Sequence, residues 1–102
     1  MTRPVVLLLS LFSFTTPALA ANPQNGRRIA FQLCARCHQI SPEQPRRATA
    51  APPFADIPRK TALDEVRLAF YLLIEKNQKM VGRALSLGEA TDLAAYIMSV
   101  RK

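Results

Sequence analysis

The chain has 102 residues, with 14 basic residues against 7 acidic ones and a net charge of +7. That length makes one small domain with no room for a second. The charge favours acidic proteins, anionic lipid or nucleic acid as partners, and no nucleic-acid motif accompanies it. Two cysteines and a single histidine, all inside the stretch CARCH at 34–38, are too few for a four-ligand zinc centre.

The opening MTRPVVLLLSLFSFTTPALA has one positive charge at Arg3, an apolar run from Val5 to Phe14, and Ala18-Leu19-Ala20 before a cut. This is the layout of a secretory signal peptide, predicted to be removed after Ala20. The run is about half the roughly 20 residues that a spanning helix needs, so no stable membrane span is expected after cleavage. Residues 21–102 are then a single exported domain, and loss of Arg3 takes its charge from +7 to +6.

Three helices are predicted in that domain and no strand. The first covers 23–36, with Asn22 as cap, Pro23 at its first position, and Ile29, Leu33 and Cys37 on one face. The second covers 62–75. Thr61 and Asp64 suit its start, and Val66, Ala69, Phe70 and Leu73 are its expected buried stripe. Tyr71 beside them is expected to pack and to aim its hydroxyl at a polar atom. The third covers 87–100, opened by the capping box Ser86-x-x-Glu89, with Leu93, Ile97 and Val100 inward and Tyr96 on the flank. Residues 39–60 hold five prolines, which block helix continuation. A loop that long in a compact domain is expected to wrap something. Residues 75–86 are expected to form a shorter loop with Gly82 as its flexible point.

On a helix end, Cys34, Cys37 and His38 leave one face at i, i+3 and i+4. A disulfide between the two thiols would close a loop too small to restrain the unfolded chain. A thiol-exchange motif opens a helix after a strand, whereas this pair closes a helix, where the dipole opposes thiolate formation. C-x-x-C-H is also the attachment motif of c-type haem, in which two sulfurs bond the porphyrin and the histidine supplies an axial nitrogen to iron. Only that chemistry uses all three residues, and it predicts one covalent haem c. For the second axial position the donors are Met80, Met98 or a lysine. Met98 falls on a regular helix where packing explains it. Met80 lies between polar NQK and Gly82, so Met80 is the expected ligand, with an open iron as the alternative.

From Gly26 to Arg101 the chain resembles the class I c-type cytochromes, small single-haem electron carriers. The resemblance rests on GRRIAFQLCARCH, then APPF, then the methionine segment, then LSLGEATDLAAYIMSV. It implies an all-α, cytochrome c-like fold of three main helices with long loops wrapped around the haem. It implies Cys34 and Cys37 as thioether sites, with His38 and Met80 as proximal and distal metal ligands. Pro52, with Pro53 as the fallback, would be the loop proline whose carbonyl accepts from the histidine ring. Gly26 and Tyr96 would mark the crossing of the first and last helices. The chain departs from the family where Val81 rather than proline follows Met80, and where Ala30 rather than an aromatic stands four residues after Gly26.

The resulting expectation is a soluble periplasmic electron carrier with no catalytic residue, a monomer or a small subunit. Arg27, Lys76, Lys79 and Arg83 could ring the haem edge and steer redox proteins with acidic docking patches. The alternatives are a haem subunit of a larger oxidoreductase, or an open-site haem sensor if Met80 does not ligate.

Overall fold

The computed structural model describes residues 2–13, 20–44, 51–57 and 64–100. Among these the chain is all-helical: α1 (Pro23–Leu33), a 3₁₀ turn (Phe54–Asp56), α2 (Glu65–Leu73), α3 (Glu75–Val81) and α4 (Leu87–Ser99). Residues 2–13 stand exposed, and Leu8 and Leu11 give no area to the core. The residues just before the expected cut, 14–19, lie outside the described residues. No helix among the described residues is long and apolar enough to cross a membrane.

The N-terminal and C-terminal helices hold the fold together. α4 packs on both α1 and α2. Its Ala90, Leu93, Ala94 and Ile97 are buried against Ile29 and Ala30 of α1 and Leu68 and Leu72 of α2. The α1–α4 crossing is as close as backbones allow. A Cβ on Gly26 would stand 1.9 Å from the Asp92 carbonyl oxygen and 2.9 Å from Tyr96 Cβ. The Asp92 carboxylate ties the crossing, accepting from the Asn22 amide and from Asn25 Nδ2, both at 2.8 Å. A carboxylate at the α1 N-terminus also meets the positive end of that helix dipole.

α1 starts as expected, Asn22 Oδ1 accepting from the amides of Gln24 and Asn25 at 3.1 Å each. It ends three residues before the expected 36. The amides of Cys34 and Ala35 both turn onto the Ala30 carbonyl, at 2.8 and 3.1 Å, which ends the regular i→i−4 ladder.

α2 corrects the expected stripe. Leu68, Ala69 and Leu72 are buried, while Val66 is 65% and Phe70 60% exposed. Both faces of EVRLAFYLL are apolar, so periodicity alone leaves the inward face ambiguous, and packing under α4 selects it. Asp64 is the cap, accepting from the Arg67 amide at 2.8 Å. Thr61 and the expected first turn lie outside the described residues.

The expected loop at 75–86 is half helix. Ile74 breaks α2 with extended dihedrals (φ −65°, ψ 131°), and α3 runs from Glu75 to Val81. Buried Asn77 donates from Nδ2 to the Tyr71 carbonyl at 2.7 Å, satisfying a carbonyl freed by the break. Gly82 closes α3 in the left-handed region at φ 93°, so it is a helix cap rather than a loose hinge. α4 opens on the expected capping box, with Ser86 and Glu89 bonded reciprocally. Glu89 also takes a bidentate pair from Arg83, at 2.6 and 3.1 Å.

Two outcomes follow for the folded protein. Gly26→Ala must push two backbones apart and should cost about 3 kcal/mol or more in denaturant melts followed by far-ultraviolet circular dichroism. Gly88→Ala, whose Cβ meets only Ser86 Oγ at 3.9 Å, should keep full stability. Equal melts for the two variants would contradict the crossing geometry. The second outcome concerns pH. The Arg83 hydrogen bond, then the Ser86 backbone, lowers the Glu89 carboxyl from 4.5 to about 2. With the folded value below the unfolded one, this contribution is present above the unfolded value and is lost as pH falls toward the folded one. Glu89→Gln keeps the cap but not the charge. It should lower Tm near neutrality and progressively less below pH 4.5, and a constant difference across that range would contradict the assignment.

Candidate functional site

The stretch 34–38 leaves α1 as one further turn. Cys34 is the C-cap of α1, and the amides of Cys37 and His38 both donate to its carbonyl, at 3.1 and 2.9 Å. This turn brings Cys34, Cys37 and His38 to one cavity of about 580 Å³, as the i, i+3, i+4 spacing implies. Pro52, Tyr71, Lys79 and Met80 border the same cavity, and the rest of its lining is mainly apolar, including Leu68 and Leu93. The volume lies within the roughly 300–1,000 Å³ of ligand and cofactor pockets.

His38 is held on two sides. Its Nδ1 lies 2.6 Å from the Pro52 carbonyl oxygen. A carbonyl only accepts, so Nδ1 carries the proton and Nε2 keeps the lone pair. The ring also packs on Phe54 at 5.4 Å between centroids, and Phe54 meets Tyr96 edge-on at 6.3 Å. The Tyr96 hydroxyl donates to the Ile40 carbonyl at 2.8 Å, and the Phe54 amide to the Gln39 carbonyl at 3.0 Å. Burial raises the Tyr96 phenol above its usual pKa, which keeps it a donor.

Gln44 is a support that the sequence did not signal. It accepts from the Ile40 amide at 3.0 Å and donates to the carbonyls of Ala35 and His38 at 3.2 and 3.4 Å. No periodic pattern marks a glutamine in a proline-rich loop. Asp92 and Asn77 were likewise unmarked, because the partners of Asp92, the Asn22 amide and Asn25 Nδ2, lie far along the chain and that of Asn77 is a carbonyl at a helix break.

The thiols are not set up for exchange chemistry. They form no disulfide. Burial, and then the neighbouring Cys37, pushes Cys34 up to about 11, so at neutral pH it is a thiol rather than the thiolate that exchange requires. Among the described residues no group of three or more His, Cys, Asp or Glu is gathered to hold a metal, which leaves zinc without a ligand set. Two thiols, a single oriented imidazole, a thioether and an apolar enclosure do fit a haem.

Met80 borders the cavity from the last turn of α3 rather than from the expected loop, and it is 53% exposed. Residues EKNQKMV are short and polar, so they carry no apolar period by which a helix could be recognised. Met98 is partly buried against the core and does not line the cavity. Tyr71 borders the cavity and is 42% exposed. Of the four cations expected around the site, Lys79 borders the cavity and Lys76 is exposed on α3. Arg83 is held by Glu89, and Arg27 lies on the other side of α1.

No family model matches the chain, and no solved structure does. A curated relative does match: cytochrome c-552 of Bradyrhizobium diazoefficiens, 37% identical over 99 residues, covering 97% of this chain and 94% of the relative. With that identity along nearly its whole length and an all-helical fold, the chain belongs to the class I c-type cytochromes, the family of haem-iron electron carriers.

Proposed function

We propose that the chain is a single-haem carrier of electrons in the periplasm. Cys34 and Cys37 would be its covalent anchors, His38 the proximal ligand and Met80 the distal one. The observation that carries this reading is the His38 ring, fixed through Nδ1 by the Pro52 carbonyl at the edge of a cavity that both thiols share. When bound, the haem supplies reversible one-electron exchange at its iron.

The protein's part is to hold and to exclude. Pro52 sets the His38 tautomer and makes Nε2 the better donor. Phe54 and Tyr96 keep the ring plane from turning. The apolar lining keeps water from the metal position and disfavours added charge there, which raises the reduction potential. No side chain is asked to move a proton or attack a substrate, so the reading needs no catalyst. Lys79, at the cavity edge, and exposed Lys76 would steer redox proteins with acidic patches. The leader pattern of residues 1–20 supports export, and no helix among the described residues is fit to span a membrane.

Val81 stands where many members of the family carry proline after the distal methionine, and this favours one other reading, a haem protein with an open iron position. Carbon monoxide separates the two. The reduced, haem-loaded protein should keep its visible spectrum under carbon monoxide, and Met80→Ala should convert to the carbonyl form within mixing time. A parent protein that takes up the gas as readily as Met80→Ala would sink the distal assignment and favour the sensor.

A further inference from the structure

A second cavity, of about 700 Å³, lies on the far side of α1 and shares no lining residue with the first. Gly26, Ile29 and Ala30 of α1 face the core. Arg27, Arg28 and Phe31 come from the opposite side of the same helix and form one wall of a groove. The facing wall is the segment 40–44. Gln44 joins the two walls, accepting from the Ile40 amide at 3.0 Å and donating to the Ala35 carbonyl at 3.2 Å. The groove is therefore a cross-linked shape rather than a gap between surface side chains.

Its chemistry is unbalanced. Arg27, Arg28 and Arg36 line it, with Glu43 as the single acid. Among the described residues the close ion pairs are Arg67–Asp64 and Arg83–Glu89, so none of these three arginines is held in one. Asn25 Oδ1 holds the Arg28 guanidinium at 2.8 and 3.2 Å, which orients the fork without adding charge. Phe31 is 74% exposed among these cations. Arginines around an exposed aromatic are the composition of a protein-binding hot spot, and the guanidinium fork matches carboxylates.

We propose that this groove docks an acidic segment of a partner protein. Carboxylates of the segment pair with Arg27, Arg28 and Arg36, and one apolar side chain lies on Phe31. A concave site with an aromatic on one wall suits a single extended segment better than a flat bilayer, and Glu43 opposes a uniformly anionic surface. A partner held there leaves Lys79 and Met80, at the other cavity, uncovered. The chain could then be anchored by one face and exchange electrons through the other, as a subunit of an assembly would.

The test is a titration of ¹⁵N-labelled, haem-loaded protein with a blocked heptapeptide of six acidic residues around one phenylalanine. Amide shifts should cluster at 24–36 and 40–44 and spare 71–81. Arg28→Glu/Arg36→Glu should weaken binding at least tenfold, and Phe31→Ala should weaken it several-fold. Shifts confined to 71–81, or equal affinity in the double variant, overturn the proposal. Tighter binding to anionic vesicles than to the peptide assigns the groove to lipid and also overturns it, as does self-association through 24–36. None of these results bears on the haem reading, which rests on the other cavity.

Discussion

The bond from His38 Nδ1 to the Pro52 carbonyl joins residues fourteen positions apart in the chain. A ligand ring free to turn about two side-chain torsions would lose rotamer entropy each time it met a metal. Here that entropy is lost on folding. The same bond fixes which nitrogen holds the proton, and so which one keeps a lone pair for a ligand. Around it the structure adds one contact after another. Phe54 packs on the ring, Tyr96 on Phe54, and the Tyr96 hydroxyl reaches back to the Ile40 carbonyl two residues beyond the ring.

That chain of contacts places a demand on the distant helices. Tyr96 belongs to α4, and it can reach the segment after His38 only if α4 lies tight against α1. Gly26 permits that approach by having no Cβ, and Asp92 secures it through the Asn22 and Asn25 nitrogens. A residue at 26 therefore influences the orientation of a ring at 38 through the other end of the protein. In a domain this small, stability and site geometry are hard to separate.

The sequence made the ends of this arrangement plain and left its middle obscure. CARCH pointed to a haem, in line with the cytochrome relative, because two thiols and an imidazole at that spacing have few other uses. The capping residues Asn22 and Ser86 marked two helix starts within a residue, since each bonds its own first turn. Less was legible wherever partners are remote or patterns are short. The inward face of α2 was misread because Val66 and Phe70 are as apolar as Leu68 and Leu72, and only contact with α4 distinguishes them. α3 was taken for a loop because seven mostly polar residues show no period. Gln44 bonds backbone groups four to nine residues back across an irregular turn, and Asp92 bonds nitrogens of Asn22 and Asn25 that are near only after folding. Arg27 was expected beside the haem, yet it lines the second cavity rather than the one that Cys34, Cys37 and His38 share.

The account depends most on the claim that Cys34, Cys37 and His38 gather around one covalently held haem. The direct measurement is the intact mass of the exported protein after denaturing chromatography, read together with its visible absorbance. The account predicts a polypeptide beginning at Ala21, heavier than its amino acids by one haem and still coloured after denaturation. A colourless protein of bare polypeptide mass, or colour that separates from the chain on denaturing, would contradict it.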